Sequence, residues 1–206
     1  MLRPRFVFAL LVSFGIAASA AAQAPVEAEY RALVQRVKSG DLSVDFARMR
    51  ALYSQMSAYE PYGEAANNAS RAEQMARTGD HQAALTLANQ VLGTYYVSLA
   101  AHYAAAVAYD KLGDKQREAF HRRVWAGMMR AVLASGDGRT AATAMRVLTV
   151  SDEYHVLRAL RVTPGKREVA REAGRVFDRW EAKEQSGADR LLYFDITLMF
   201  AKLERK

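Results

Sequence analysis

Two Gly-Asp pairs, Gly79-Asp80 and Gly113-Asp114, constrain this chain more than any other feature in it. Each follows an alanine-rich stretch with helical periodicity and opens another, and the two glycines stand 34 positions apart, 79 to 113. Glycine accepts the left-handed backbone that closes one helix, and the following aspartate can cap the next. A connection this short makes consecutive helices neighbours. A spacing of 34 residues is the period of a tetratricopeptide helix–turn–helix unit.

The repeat is incomplete. Ala106, Tyr109 and Gly113 sit at the unit's small–aromatic–glycine spacing, and Ala84 falls five after Gly79. Ala119 falls six after Gly113, one out of register. One and a half units cannot bury a continuous core, so these helices must pack on something else. Ala84, Leu85, Ala88, Val91 and Leu92 mark one apolar face, and Leu99, His102, Tyr103, Ala106 and Tyr109 the next. Phe120, His121, Val124, Trp125, Met128 and Val132 form a third, which stops at Ser135-Gly136-Asp137-Gly138.

Upstream, Tyr30, Leu33, Val34 and Val37 are helically spaced before Ser39-Gly40-Asp41. A second helix is expected from about Ser43, ending before Tyr59-Glu60-Pro61-Tyr62. That aromatic turn reads either as a ligand-stacking surface or as packing over a helix end. The first residues have the pattern of a signal peptide: Arg3 and Arg5, an apolar run from Phe6 to Ala18, then small residues with cleavage expected after Ala22. The product would be periplasmic or secreted, with no membrane span after cleavage. The chain has no cysteine, which excludes disulfides, thiol catalysis and thiolate metal sites. The formal charge is +7, or +5 without Arg3 and Arg5, and the basic residues are interleaved with acids. That is a mixed-charge surface rather than a nucleic-acid footprint.

After Gly138 the pattern changes. Ala144 to Val150 alternates as a strand does, Ser151 can cap a short helix through Leu157, Pro164-Gly165 reads as a turn, and Leu191 to Ile196 as a strand. Residues 166–184 are ambiguous. Val169, Ala173, Val176, Phe177 and Trp180 slightly favour a helix. However, Gly174 interrupts it, and Val176, Asp178, Trp180 and Ala182 also fit one face of a strand paired through Ser186-Gly187-Ala188-Asp189. The expected organisation is a signal peptide over 1–22, a helical tetratricopeptide-like region over 25–138, and a small α+β region over 139–206 packed on it. The fold class is α+β, mainly α: helical hairpins followed by a small antiparallel β-rich part.

Several short stretches together, Arg36-Val37-Lys38-Ser39-Gly40-Asp41, Asp45-Phe46, Tyr59-Glu60-Pro61-Tyr62, Ala101-His102, Phe120-His121, Ser135 to Gly138, Thr143-Ala144, Glu153-Tyr154 and Tyr193-Phe194, resemble an exported bacterial family, domain-of-unknown-function family 4919. The resemblance runs from about residue 30 to the end. It implies helical repeats followed by a β-rich end, and hence a hairpin over Val176 to Ile196; it implies no activity. Two departures stand out: Asp195-Ile196-Thr197 where the family usually has Asn-x-Asp, and Asp152-Glu153 where Glu-Glu is usual.

The chemistry-bearing candidates are few. In an antiparallel pair turning at Gly113-Asp114, His102 lies about one turn from His121, so the imidazoles can approach. Asp137, Glu153 and His155 could join them if the C-terminal part folds back there. Such a set would suit a divalent metal or acid–base work; otherwise each histidine simply serves a helix interface. No H-x-x-x-H, H-x-x-E-H or G-x-S-x-G pattern occurs, and the 135–138 loop lacks the lysine of a phosphate loop. No catalytic residue, metal or cofactor is therefore assigned. The expected function is a non-enzymatic helical-repeat interaction module that binds a protein or peptide in the groove of its stacked helices, and no nucleic acid. The alternative is a small metal-binding or hydrolase-like protein at His102, His121 and Asp137.

Overall fold

The computed structural model describes residues 13–204, with side chains from residue 23 onward. The start of the expected signal peptide, residues 1–12, lies outside the described residues. Helix α1 (Ser13–Lys38) carries its described packing face from Val26 through Tyr30, Leu33, Val34 and Val37. It turns through Gly40, at φ 96°, into α2 (Phe46–Gln55), whose cap is Asp45: its carboxylate accepts the Arg48 backbone N–H at 2.9 Å.

The Gly-Asp turns behave as their chemistry requires. Between α3 (Glu64–Thr78) and α4 (His81–Thr94), Gly79 takes φ 103° and Asp80 accepts the Ala83 N–H. Between α5 (Leu99–Lys111) and α6 (Lys115–Leu133), Gly113 takes φ 85° and Asp114 accepts the Arg117 N–H. Helix α5 lies against α3, α4 and α6, and its Ala100, Ala101, Ala104, Ala105 and Ala108 are all buried. Small side chains let these backbones approach closely, so the close contacts replace bulky apolar ones. Gly127 does the same for α2 on α6: a Cβ there would stand 2.4 Å from the Phe46 ring.

The C-terminal part is a four-stranded sheet in the order β1-β4-β3-β2, from β1 (Met145–Arg146), β2 (Thr163–Glu172), β3 (Arg175–Lys183) and β4 (Asp189–Asp195). Strands β2, β3 and β4 form an antiparallel meander, while β1 runs parallel to β4. Helix α7 (Val150–Ala159) separates β1 from β2, and α8 (Thr197–Leu203) closes the chain. A single apolar cluster runs from Tyr30 on α1 to Met199 on α8 and joins the helices to the sheet.

Several expectations need correction. The helical reading of 166–184 fails because Ala173 and Gly174 both take positive φ (50° and 75°). That is the two-residue turn that matches strand twist, and it pairs Glu172 with Arg175. Pro164-Gly165 is no turn; it lies inside β2 at a register irregularity, where the edge strand tolerates a missing N–H. The expected strand over 144–150 shrinks to Met145–Arg146, because α7 already begins at Val150. Its flanking cap is Thr149 rather than Ser151, and Asp152 turns back to accept the Leu148 N–H at 2.9 Å. In Tyr59-Glu60-Pro61-Tyr62 the packing reading describes Tyr59, which is buried and donates to the Leu148 carbonyl at 2.9 Å.

Candidate functional site

His102 and His121 meet inside the α5–α6 interface, Nδ1 to Nδ1 at 2.9 Å. His102 Nε2 stands 2.9 Å from the Tyr96 carbonyl, which can only accept, so the ring proton sits on Nε2 and Nδ1 is bare. His121 Nδ1–H is then the donor of the pair. His121 stacks on Tyr109 and meets the edge of Phe120. Burial, with the neighbouring His121 second, lowers His102 to about 3; burial lowers His121 to about 4. Both rings are neutral at pH 7, and each is already committed to a partner.

The other expected site residues lie elsewhere. His155 on α7 is buried between the Tyr103 and Trp125 rings. Its Nδ1 accepts from Arg158 at 3.0 Å, and its Nε2 lies 3.2 Å from Glu73 Oε2. Glu73 Oε1 also accepts from Arg77 and Arg158. Burial alone would raise the Glu73 carboxyl, but the His155, Arg77 and Arg158 contacts outweigh it and hold it at about 2.

Glu153, two residues earlier, faces the sheet instead. Its Oε2 accepts the Trp180 indole N–H at 2.6 Å, and Asp178 lies beside it. Burial, then the Asp178 charge, push the Glu153 carboxyl well above its ordinary range. Asp137 joins neither cluster: it is exposed and caps its own turn, accepting from Arg139 N–H at 3.0 Å and Thr143 Oγ1 at 2.6 Å. The structure thus brings together His102 and His121 and leaves Asp137, Glu153 and His155 in three other places. Among the described residues no group of three or more potential ligands could hold a metal ion.

A cleft of about 300 Å³ lies where the helices meet the sheet. One face of α2 (Ala47, Arg50, Ala51, Ser54) forms a wall, facing Ser135, Arg146, Asp195 and Leu198. Arg50 is buried; its Nη2 donates to Asp152 at 2.7 Å, while Nη1 has no hydrogen-bond partner. Asp195 is held by Arg175 at 2.7 Å and by Thr197 Oγ1 at 2.6 Å. Arg146 is exposed, fixed by its backbone N–H to Ser135 Oγ at 2.8 Å, and its side chain makes no ion pair among the described residues. Sequence reasoning missed Arg50, Arg146 and Glu73. Arg50 and Glu73 interrupt apolar faces as ordinary surface charges do, and their partners lie 102 and 85 positions away. Arg146 carried no signal beyond its place in an alternating stretch.

The family described as a domain of unknown function (DUF4919) matches residues 19–205. The chain belongs to that family, which brings no assigned activity. No curated protein and no solved structure matches the chain.

Proposed function

We propose that this member of the family is an exported, non-enzymatic interaction module that seats a peptide segment of a protein partner in the cleft between α2, α6, β1 and α8. The cleft carries the reading: it is roomy enough for one or two side chains, and it lies where two structural parts meet, a common place for binding sites. Exposed Leu198 offers an apolar contact at its rim, and the Arg50 and Arg146 side chains offer polar ones. The tetratricopeptide-like turns at Gly79 and Gly113 support the same reading, because such stacks present surfaces to partners. A metal or hydrolytic site at His102, His121 and Asp137 draws less support, since both histidines are spent on each other and on the Tyr96 carbonyl. Nucleic-acid binding draws little, with many arginines paired to acids, Arg48 to Glu29 and Arg122 to Glu118 among them.

Export rests on the residue pattern up to Ala22, and the described packing face of α1 begins only at Val26. No helix among the described residues is long and apolar enough to cross a membrane. Mass spectrometry of the exported protein should find a mature chain starting at Gln23; an intact Met1 start would overturn export by cleavage. For the cleft, the absence of native cysteine allows a single photo-crosslinker at Ser54→Cys. Adducts should form there, should vanish when Ala51→Leu fills the cleft, and should not form from exposed Ser70→Cys. Equal labelling from both positions would overturn the assignment.

A further inference from the structure

Resting on that reading of the cleft, we propose that it recognises a carboxylate, and that Arg146 at the rim and Arg50 at the wall hold it. Two guanidinium groups line the cleft, Arg50 and Arg146, and a third, Arg175, lies outside the lining and pairs with its Asp195. Two carboxylates answer them, Asp152 for Arg50 and Asp195 for Arg175. One positive charge of the lining is left without an ion pair among the described residues, and it sits on Arg146, whose backbone N–H is pinned to Ser135. Arg50 adds a buried guanidinium edge, because Nη2 is given to Asp152 and Nη1 has no partner. Planar guanidinium groups match planar carboxylates best.

The charge balance selects within the anions. A monoanion neutralises the single excess charge, whereas a phosphate dianion would overshoot it and face the Asp195 carboxylate on the same wall. Asp195, Ser54 and Ser135 also supply acceptors for N–H groups, which a free phosphate lacks and a peptide carries. The ligand class is therefore a peptide presenting a carboxylate, either a side chain or its terminus.

The test follows the arginine Nε–H resonances of the full mature chain while sodium acetate is added at constant ionic strength. Acetate should move the Arg146 and Arg50 signals saturably. Acetamide, the same shape without charge, should not, and inorganic phosphate should bind more weakly. Arg146→Gln should weaken acetate binding at least about fivefold, the loss of one charge-assisted pair. Ala51→Leu should abolish it while leaving the fold intact. No saturable shift, an equal response to acetamide, phosphate binding as tight as acetate, or indifference to Ala51→Leu would each overturn the proposal. Cross-linking from Ser54→Cys that persists without acetate binding would sink the carboxylate assignment alone and leave the docking site standing.

Discussion

The α3–α6 helices and the junction between helices and sheet are built on opposite principles. Within the helices, contacts are between small neutral groups: buried alanines of α5 against its neighbours, and two neutral histidines sharing one proton's worth of donor. At the junction, α7 is held by buried polar and charged groups on three sides. Asp152 takes Arg50 from α2, Glu153 meets Trp180 and Asp178 on β3, and His155 with Arg158 takes Glu73 from α3. Small residues let helices pack close with nothing to desolvate. Buried charges contribute little net stability, but they tolerate few alternative partners and so can fix how two unlike parts dock.

That contrast can be broken most severely at Asp152. Asp152→Ala leaves Arg50 buried without its partner and should cost about 3–5 kcal/mol, read as a shift of the denaturation midpoint with an unchanged slope. The histidine pair gives a second effect, confined to the acid side. Both folded values, about 3 and about 4, lie below the ordinary 6.5, so the unfolded chain binds more protons between those limits. Stability is therefore full above pH 6.5 and falls as pH drops toward 4, by up to roughly 1.4 kcal/mol per pH unit for each ring. His102→Leu together with His121→Leu should flatten this leg; an unchanged pH dependence would show that the pair does not set it.

Gly127→Ala tests close packing directly. The added methyl collides with Phe46, and the expected loss is about 1–3 kcal/mol, measured by thermal unfolding. The smallest effect belongs to Glu153, and its sign is opposite to the histidines'. Its folded value is raised above 4.5, so its contribution is full below that pH and is lost as pH rises through the folded value. The Trp180 N–H and the Arg167 charge favour the ionised carboxylate, but burial and the Asp178 charge outweigh them. Glu153→Gln should be near neutral at pH 5 and stabilising at pH 8, by about 1 kcal/mol. A loss at pH 8 would show that the ionised carboxylate is the native form.

Much of this was legible in local chemistry. Gly79, Gly113 and the aspartates after them act within one turn of chain, so their pattern alone predicts the turns and the approach of His102 to His121. Asp137 is satisfied by Arg139 and Thr143, a local use that outcompeted any distant one. Glu153 and His155 cannot share a site for a helical reason: residues two apart point to opposite sides of α7, one to the sheet and one to α3. Residues 166–184 misled because Val169, Val176, Phe177 and Trp180 fit both periods, and only pairing with β4 makes the strand worth forming.

The residues by themselves determined the helical first part, its tight turns, the two inward histidines and a change of architecture after Gly138, because capping, backbone conformation and apolar period act between near neighbours. Tertiary structure alone decided which charges are buried, where α7 is pinned, and that a cleft lined by Arg50 and Arg146 exists. Those features join positions about a hundred residues apart, and the free energy that selects them arises only once both surfaces have left water.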